Sequence, residues 1–277
     1  MLVLGMMTAL KAQPADWTEP YLPHHVAGNI YYVGSRGLAS YLITSPQGHI
    51  LLNSSLVASV PLIRESVEKL GFRFNDIKIL VISHAHWDHC AGSAAVKAMT
   101  GAKYMVMEQD VEEVESGGKL DFHYANSPEY VYPPARVDRV LRDRDEVKLG
   151  SNVLVAHLTP GHTKGCTTWT MKATENGKIY NVVFLGSPNV NEGYKLVKNP
   201  KYAGIAQDYE RTFRTLQTLA CDIFLGAHGA YYGMEAKVAR IKEGGPNPFL
   251  DAEGYRKLVT EKEADFRAEW AKQKGGK

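Results

Sequence analysis

Three imidazoles and one carboxylate fall within six residues in the run Ser83-His84-Ala85-His86-Trp87-Asp88-His89. On a loop, His84 and His86 can point the same way, while Asp88 and His89 turn toward a neighbouring point. That arrangement suits two adjacent metal ions better than one. Imidazole and carboxylate without thiolate make an N/O donor set that suits zinc and leaves iron or manganese open. A lone histidine at a strand end is more often a satisfied structural group than a ligand; this crowding favours ligation.

Two further loops have the same construction. His162 lies in Thr159-Pro160-Gly161-His162-Thr163 and His228 in Gly226-Ala227-His228-Gly229, each just after an apolar run and a glycine. Taken as one cluster, His84, His86, Asp88, His89, His162 and His228 divide as three ligands for each of two ions. Three protein ligands leave an open position, the mark of a catalytic zinc site. A water or hydroxide bridging two such ions has its pKa lowered to about 7, which gives a nucleophile at neutral pH. The net positive charge of such a centre favours an anionic substrate and steers it over roughly 8 Å in physiological salt. His24, His25, His49, His123 and His157 lack the strand and glycine context and read as structural or surface groups. Of these, His123 is the one that sits in an aromatic loop.

The flanking sequence supplies the elements that position these groups. Ile77, Ile79, Leu80, Val81 and Ile82 form an apolar, β-branched run, as a strand buried on both faces requires. After the motif, Ala91 to Met99 is a good helix former stopped by Gly101. Upstream, Ile30–Val33, Ser40–Thr44 and His49–Leu52 read as an antiparallel meander, followed by a helix opened by Pro61 with Leu62, Ile63, Val67 and Leu70 on one stripe. Downstream come a strand at Lys103–Met107, an acidic helix around Val111 and Val114, and a Tyr- and Pro-rich loop from Lys119 to Val137 that could wall a cleft. Val153–Leu158 is the strand that leads to His162. Thr167–Met171 and Ile179–Leu185 pair through an Asn-Gly turn. A helix from Ile205 to Ala220, a strand at Asp222–Leu225 and a helix from Gly254 to Lys272 complete the chain, with a disordered tail expected over Gln273–Lys277. Strands then helices, twice over, make an α/β fold of two sheets covered outside by helices, with the histidine loops at one edge.

Composition narrows the partners. The 277 residues are 44% hydrophobic and 22% charged, with 32 basic and 30 acidic residues and a net charge of +2. Length alone would permit two domains; we read a single one over residues 14–277. The charge is too small to suggest nucleic acid or a membrane surface, and no apolar run is long enough to span a bilayer. Residues 1–13 read as the remnant of a signal peptide lacking its basic segment, or else as an N-terminal arm. Cys90, Cys166 and Cys221 are odd in number, so at least one is unpaired within a chain. Cys90 and Cys166 follow candidate ligand loops closely, as extra ligands or as small buried hydrophobes.

The H-x-H-x-D-H pattern with its two partner loops resembles the metallo-β-lactamase superfamily, whose αββα four-layer sandwich would cover the chain from about Ile30 to Trp270. That superfamily includes thioesterases, lactonases, nucleases and β-lactamases, so fold alone does not name the reaction. Position 187 discriminates among them. Thioesterases and lactonases resemble F-x-G-D here, with the Asp bridging both metals, whereas this chain has Phe184-Leu185-Gly186-Ser187. Serine at this point, with His89 available, is similar to the third subclass of class B β-lactamases. Gly118–Tyr124, Val137–Val140, Gly161–Thr170 and Gly193–Leu196 strengthen the likeness.

The resemblance implies that His84, His86 and His162 hold one Zn2+ and Asp88, His89 and His228 a second. It also implies that Asp88 orients the attacking hydroxide, and that Ser187 and Asn189 contact a substrate carboxylate. The family often has a second serine where Asn189 stands. Cys221 matches a cysteine commonly paired with one further along, and no cysteine follows it here. The implied function is hydrolysis of penicillins, cephalosporins and carbapenems by metal-bound hydroxide, in a periplasmic protein taken as monomeric and conferring antibiotic resistance. The alternatives are a lactonase or thioesterase on the same scaffold, and a zinc site that only stabilises the fold.

Overall fold

The computed structural model describes residues 14–125 and 127–276, so the expected signal-peptide remnant lies outside the described residues. Two sheets carry the fold. The first has seven strands in sequence order: β1 (His24–Ala27), β2 (Ile30–Tyr32), β3 (Tyr41–Ile43), β4 (His49–Leu52), β5 (Ile77–Val81), β6 (Lys103–Met107) and β7 (Arg139–Leu141). Its first four strands are the expected antiparallel meander, and β4 to β7 are parallel. Parallel neighbours need a crossover. Helix α1 (Ser59–Lys69) supplies it between β4 and β5, while α2 (Trp87–Cys90) and α3 (Ser93–Thr100) do so between β5 and β6.

The period-two pattern of this sheet is apolar on both faces. Leu42, Leu51 and Leu80 pack outward with Val60, Ile63 and Val67 of α1 and Val96 of α3. Ile43, Ile50, Leu52, Ile79 and Val81 face inward, in one cluster with Leu154, Ala156, Trp169, Met171 and Phe184 of the second sheet. This second sheet runs β12 (Ile223–Gly226), β11 (Lys178–Leu185), β10 (Thr167–Glu175), β9 (Asn152–Leu158) and β8 (Glu146–Leu149). Its far face is covered by α5 (Ile205–Thr218) and α7 (Ala252–Gly275), whose Tyr209, Phe213, Leu216, Val259 and Phe266 join the same cluster. The order helix, sheet, sheet, helix is the expected αββα sandwich. No helix among the described residues is long and apolar enough to cross a membrane.

Several elements were not legible in the sequence. Strands β1, β7 and β8 are short edge or near-edge segments, and β7 and β8 carry Arg139, Glu146 and Lys148 as solvated edges do. Besides α4 (Val111–Ser116), the expected acidic helix, a further helix α6 (Met234–Ile241) follows the His228 loop. Half of the expected strand-to-helix loop is itself helical, since His86 O accepts from His89 N at 3.0 Å and Cys90 N at 3.1 Å.

The tail departs most clearly from expectation. Instead of fraying at Lys272, α7 continues to Gly275 because Gln273 is tied to the body: its Oε1 accepts from Leu196 N at 2.7 Å and its Nε2 donates to Tyr194 O at 2.8 Å. A segment of 188–196 passing the site is thereby latched to the last helix. Gln273→Ala removes both bonds, and we expect a loss of about 1–2 kcal/mol in urea unfolding. Amide exchange should accelerate at Leu196, with helix content by circular dichroism unchanged.

Candidate metal centre and active site

Every candidate ligand sits where a strand ends. The motif follows β5, His162 follows β9, Ser187 and Asn189 follow β11, and His228 follows β12. Carboxyl ends of strands are where such sheets bind ligands. Interior backbone groups need hydrogen-bond partners, and the motif finds them on both sheets. Ser83 N donates to Asn53 Oδ1 at 2.8 Å, and Ser83 O accepts from Thr167 N at 2.7 Å. Ile82 O accepts from the Trp169 indole at 2.9 Å and Ala85 O from the Tyr132 hydroxyl at 2.7 Å. His89 O accepts from both Ser54 N and Ser55 N at 3.1 Å.

Asp110 joins the two ligand loops. Its Oδ2 accepts from Ala85 N at 3.0 Å and from the Thr163 hydroxyl at 2.8 Å, while its Oδ1 accepts from Gly165 N at 2.6 Å. Burial pushes the carboxyl up to about 6, against the three donors that favour its charged form. The packing allows nothing larger at position 165, because an added Cβ would come within 2.6 Å of Asp110 N.

The six candidate ligands converge. Nitrogen or oxygen atoms of His84, His86 and His162 lie within 4.8 Å of one another, and so do those of His84, Asp88 and His89. His228 enters through its Nε2, which is 3.1 Å from His89 Nε2 and 3.6 Å from Asp88 Oδ2. His89 Nε2 is also 3.1 Å from Asp88 Oδ2. All but His228 are nearly inaccessible to solvent.

The proton inventory tests whether a cation fits. His162 Nδ1 donates to the carbonyl of Asn189 at 2.9 Å, so its Nε2 carries a lone pair. His86 turns Nε2 toward the Asp121 carboxylate at 3.5 Å; burial would lower this imidazole, but Asp121 beside it raises it above the usual histidine value. His86 Nδ1 and His162 Nε2 lie 3.1 Å apart. Buried His84 Nε2 and His89 Nδ1 have no hydrogen-bond partner. Burial, with the crowding of neighbouring imidazoles, holds His84 and His162 well below the usual histidine value and His228 at about 4. Burial would raise Asp88, but the His89 and His228 rings hold it well below the ordinary carboxylate range. Imidazole nitrogens aimed at one another around a carboxylate anion fit a metal centre.

The expected outer groups also lie here. Ser187 Oγ and Asn189 Nδ2 both reach the Tyr231 hydroxyl, at 3.2 Å and 2.8 Å. Asp121 and Tyr231 were not singled out in the sequence, whereas Cys166 lies near the site as expected. Cys166 Sγ accepts from Ser187 N at 3.3 Å, and burial pushes its thiol up to about 12; Cys90 is raised as well. Neither sulfur belongs to the groups of converging ligand atoms, so both serve as packing groups. All three cysteines are free. The Lys119 to Val137 loop does form a wall: Tyr130 lies against Trp87, ring centroids 4.1 Å apart, and Tyr124 against both, with Trp17 packed on Trp87 and His228.

The other five histidines stay outside the cluster. His24 stacks on Tyr32 and Phe249, His25 meets Gly28 O, His49 packs on Phe72 and His157 bonds Thr170. His123 packs on Tyr124 and Tyr194.

Comparison with known proteins agrees with this architecture. The family model for the metallo-beta-lactamase superfamily matches residues 33–174. The native FEZ-1 metallo-β-lactamase of Legionella gormanii is 51% identical, covers 95% of this chain and 100% of its own, and superposes with a TM-score of 0.93. BJP-1, a subclass B3 metallo-β-lactamase of Bradyrhizobium japonicum, is 38% identical over 94% of this chain and 97% of its own, with a TM-score of 0.88. A hydroxyacylglutathione hydrolase of Polaromonas sp. is 32% identical over 133 residues, 47% of this chain and 42% of that protein. The chain thus spans under half the length of that curated relative. It belongs to the metallo-β-lactamase superfamily, a family of hydrolases. Within it, the solved structures it resembles are subclass B3 enzymes.

The clamp at Asp110 generates a prediction. Asp110→Ala strands three buried donors, and we expect about 3 kcal/mol or more of lost stability. Asp110→Asn should recover only part of it, since its amide donors would face donors. Thermal unfolding of the two variants measures the difference.

Proposed function

We propose that this chain is a dizinc β-lactamase acting on penicillins, cephalosporins and carbapenems. The observation that carries the reading is the hydroxyl of Ser187, in place of a bridging carboxylate, beside a second ligand group of Asp88, His89 and His228. The full-length likeness to FEZ-1 supports it. His84, His86 and His162 would hold one ion, and Asp88, His89 and His228 the other.

Bound zinc supplies Lewis acidity, making water a nucleophile near neutral pH and stabilising charge that develops on the substrate. The chain's own groups do the rest. Asp88, ionised, orients the attacking water toward the lactam carbonyl. Ser187 and Asn189 bind the substrate carboxylate. Asp121 fixes the His86 ring through Nε2 while its Oδ1 accepts from His123 N at 2.6 Å. Trp87, Tyr124 and Tyr130 pack together beside His86, and Asn189 lines clefts of about 720 and 560 Å³. With water as direct nucleophile, no covalent enzyme intermediate forms. Export to the periplasm, suggested by residues 1–13, and a monomeric state complete the proposal, with antibiotic resistance as its consequence.

A thioesterase reading has the Polaromonas relative in its favour, but that match spans less than half of the chain and position 187 lacks the carboxylate. The deciding experiment is loss of carbapenem ring absorbance with zinc-replete protein and again after a chelator. Turnover abolished by the chelator supports the lactamase; inert protein holding two zinc ions, active instead on a thioester or lactone, overturns it. His89→Ala should lower zinc content from two per chain toward one by elemental analysis, and two retained ions would remove His89 from the ligand set.

A further inference from the structure

We infer that Tyr231 is a positioning residue that turns the Ser187 hydroxyl proton toward the substrate carboxylate; the inference rests on the lactamase reading above. Tyr231 belongs to the short 3-10 turn Gly229–Tyr232, directly after His228, and its ring centroid is 5.1 Å from that histidine's. Its ring lies over Gly226, where an added Cβ would be 3.1 Å from Tyr231 Cδ2, so a larger residue at 226 would displace it. The hydroxyl then falls between the two candidate carboxylate contacts, 2.8 Å from Asn189 Nδ2 and 3.2 Å from Ser187 Oγ.

The direction of these bonds follows from what each group can do. An amide NH2 only donates, so with Asn189 Nδ2 facing the phenol, the Tyr231 oxygen accepts there. Either hydroxyl can donate across the 3.2 Å contact; in the relay we infer, the phenol gives its one proton to Ser187 Oγ, the one remaining partner it has among the described residues. A serine hydroxyl that accepts this bond keeps its own proton for another acceptor. Among the described residues Ser187 Oγ has no other partner, and Ser187 is 4% exposed beside the ligand cluster. Its free proton is therefore available to an anion entering the site. Backbone contacts fix the other end of the relay: Ser187 N is held by Cys166 Sγ, and the Asn189 carbonyl accepts from the Tyr209 hydroxyl at 2.6 Å and from His162 Nδ1. An unanchored serine would spend part of its time with the proton turned away. The phenol removes that freedom, so the gain is one oriented, charge-assisted hydrogen bond.

The test is Tyr231→Phe, which keeps the ring and its packing and deletes only the hydroxyl. Zinc-loaded wild type and variant are assayed on a lactam with a free carboxylate and on the same lactam as its methyl ester. We expect KM for the acid to rise about tenfold in the variant, the scale of one hydrogen bond to a charged group, with kcat within about twofold and zinc content unchanged. The ester should be handled alike by both proteins. In a Ser187→Ala background, Tyr231→Phe should then add little. Equal loss on acid and ester, or a full additive effect in that background, would mean a merely structural role and overturn the relay. Wild-type turnover of the acid with no change on Tyr231→Phe overturns the relay and leaves the lactamase standing. Wild type inert toward both lactams overturns the lactamase reading and the carboxylate role of Tyr231 with it.

Discussion

The constraint on which the structure depends is that the backbone leaves a strand at Ile82, turns irregularly to His86 before one short helical turn, and stays in a buried interior. A strand or helix would satisfy its own backbone groups; an irregular path cannot. The chain answers with donors and acceptors from distant elements: Asn53 after β4, Thr167 and Trp169 of β10, Tyr132 of the aromatic loop, Ser54 and Ser55, and Asp110 after β6. Because these partners come from both sheets, the geometry of the histidines is set by the closure of the sandwich. Preorganisation of the site and stability of the fold are thus the same set of bonds.

That arrangement has an electrostatic consequence. Imidazoles packed against each other in a buried space cannot all be protonated, and burial pushes His84, His162 and His228 toward the neutral form. Asp88 stays ionised among them. The result is a crowd of imidazole nitrogens around the Asp88 carboxylate, an arrangement that a cation would relieve. Outer carbonyl and carboxylate partners, Asn189 O for His162 and Asp121 for His86, decide which ring nitrogen keeps its proton. Metal binding and tautomer choice are therefore fixed together.

Much of this was legible because the signals are local. The buried strand before the motif, the meander and the hairpin through Asn176-Gly177 are read from periodicity and turn chemistry, and the ligand loops from histidines that follow glycines at strand ends. What escaped depends on tertiary partners. β7 and β8 owe their pairing to neighbours rather than to their own three or four residues. Gln273 continues a helix past an apparently frayed tail because its amide finds two backbone groups of a loop 77 and 79 residues away. Asp110, Asp121 and Tyr231 carry no motif of their own; they matter only because the fold brings them against the ligand loops. Cys166 seemed a possible ligand from its position in the sequence, but its sulfur faces Ser187 N and lies outside the converging ligand atoms.

On the proposed dizinc reading, position 187 sets the charge balance of the centre. An aspartate there would add a second anion to a centre that already holds Asp88, drawing two cations together and lowering the attraction for an anionic substrate. A serine adds no charge, so the centre keeps more of its positive character, and the loop gains a hydroxyl that can be aimed. Aiming it requires a rigid support, and the chain provides one on each side: a thiol holds the backbone nitrogen of Ser187, and a phenol sits beside its oxygen. The two proposed anion contacts share one loop, Gly186 to Asn189, whose last carbonyl also fixes the tautomer of the candidate ligand His162. Recognition of the anion and readiness of the metal centre are mechanically the same element, so a shift of this loop would disturb both at once.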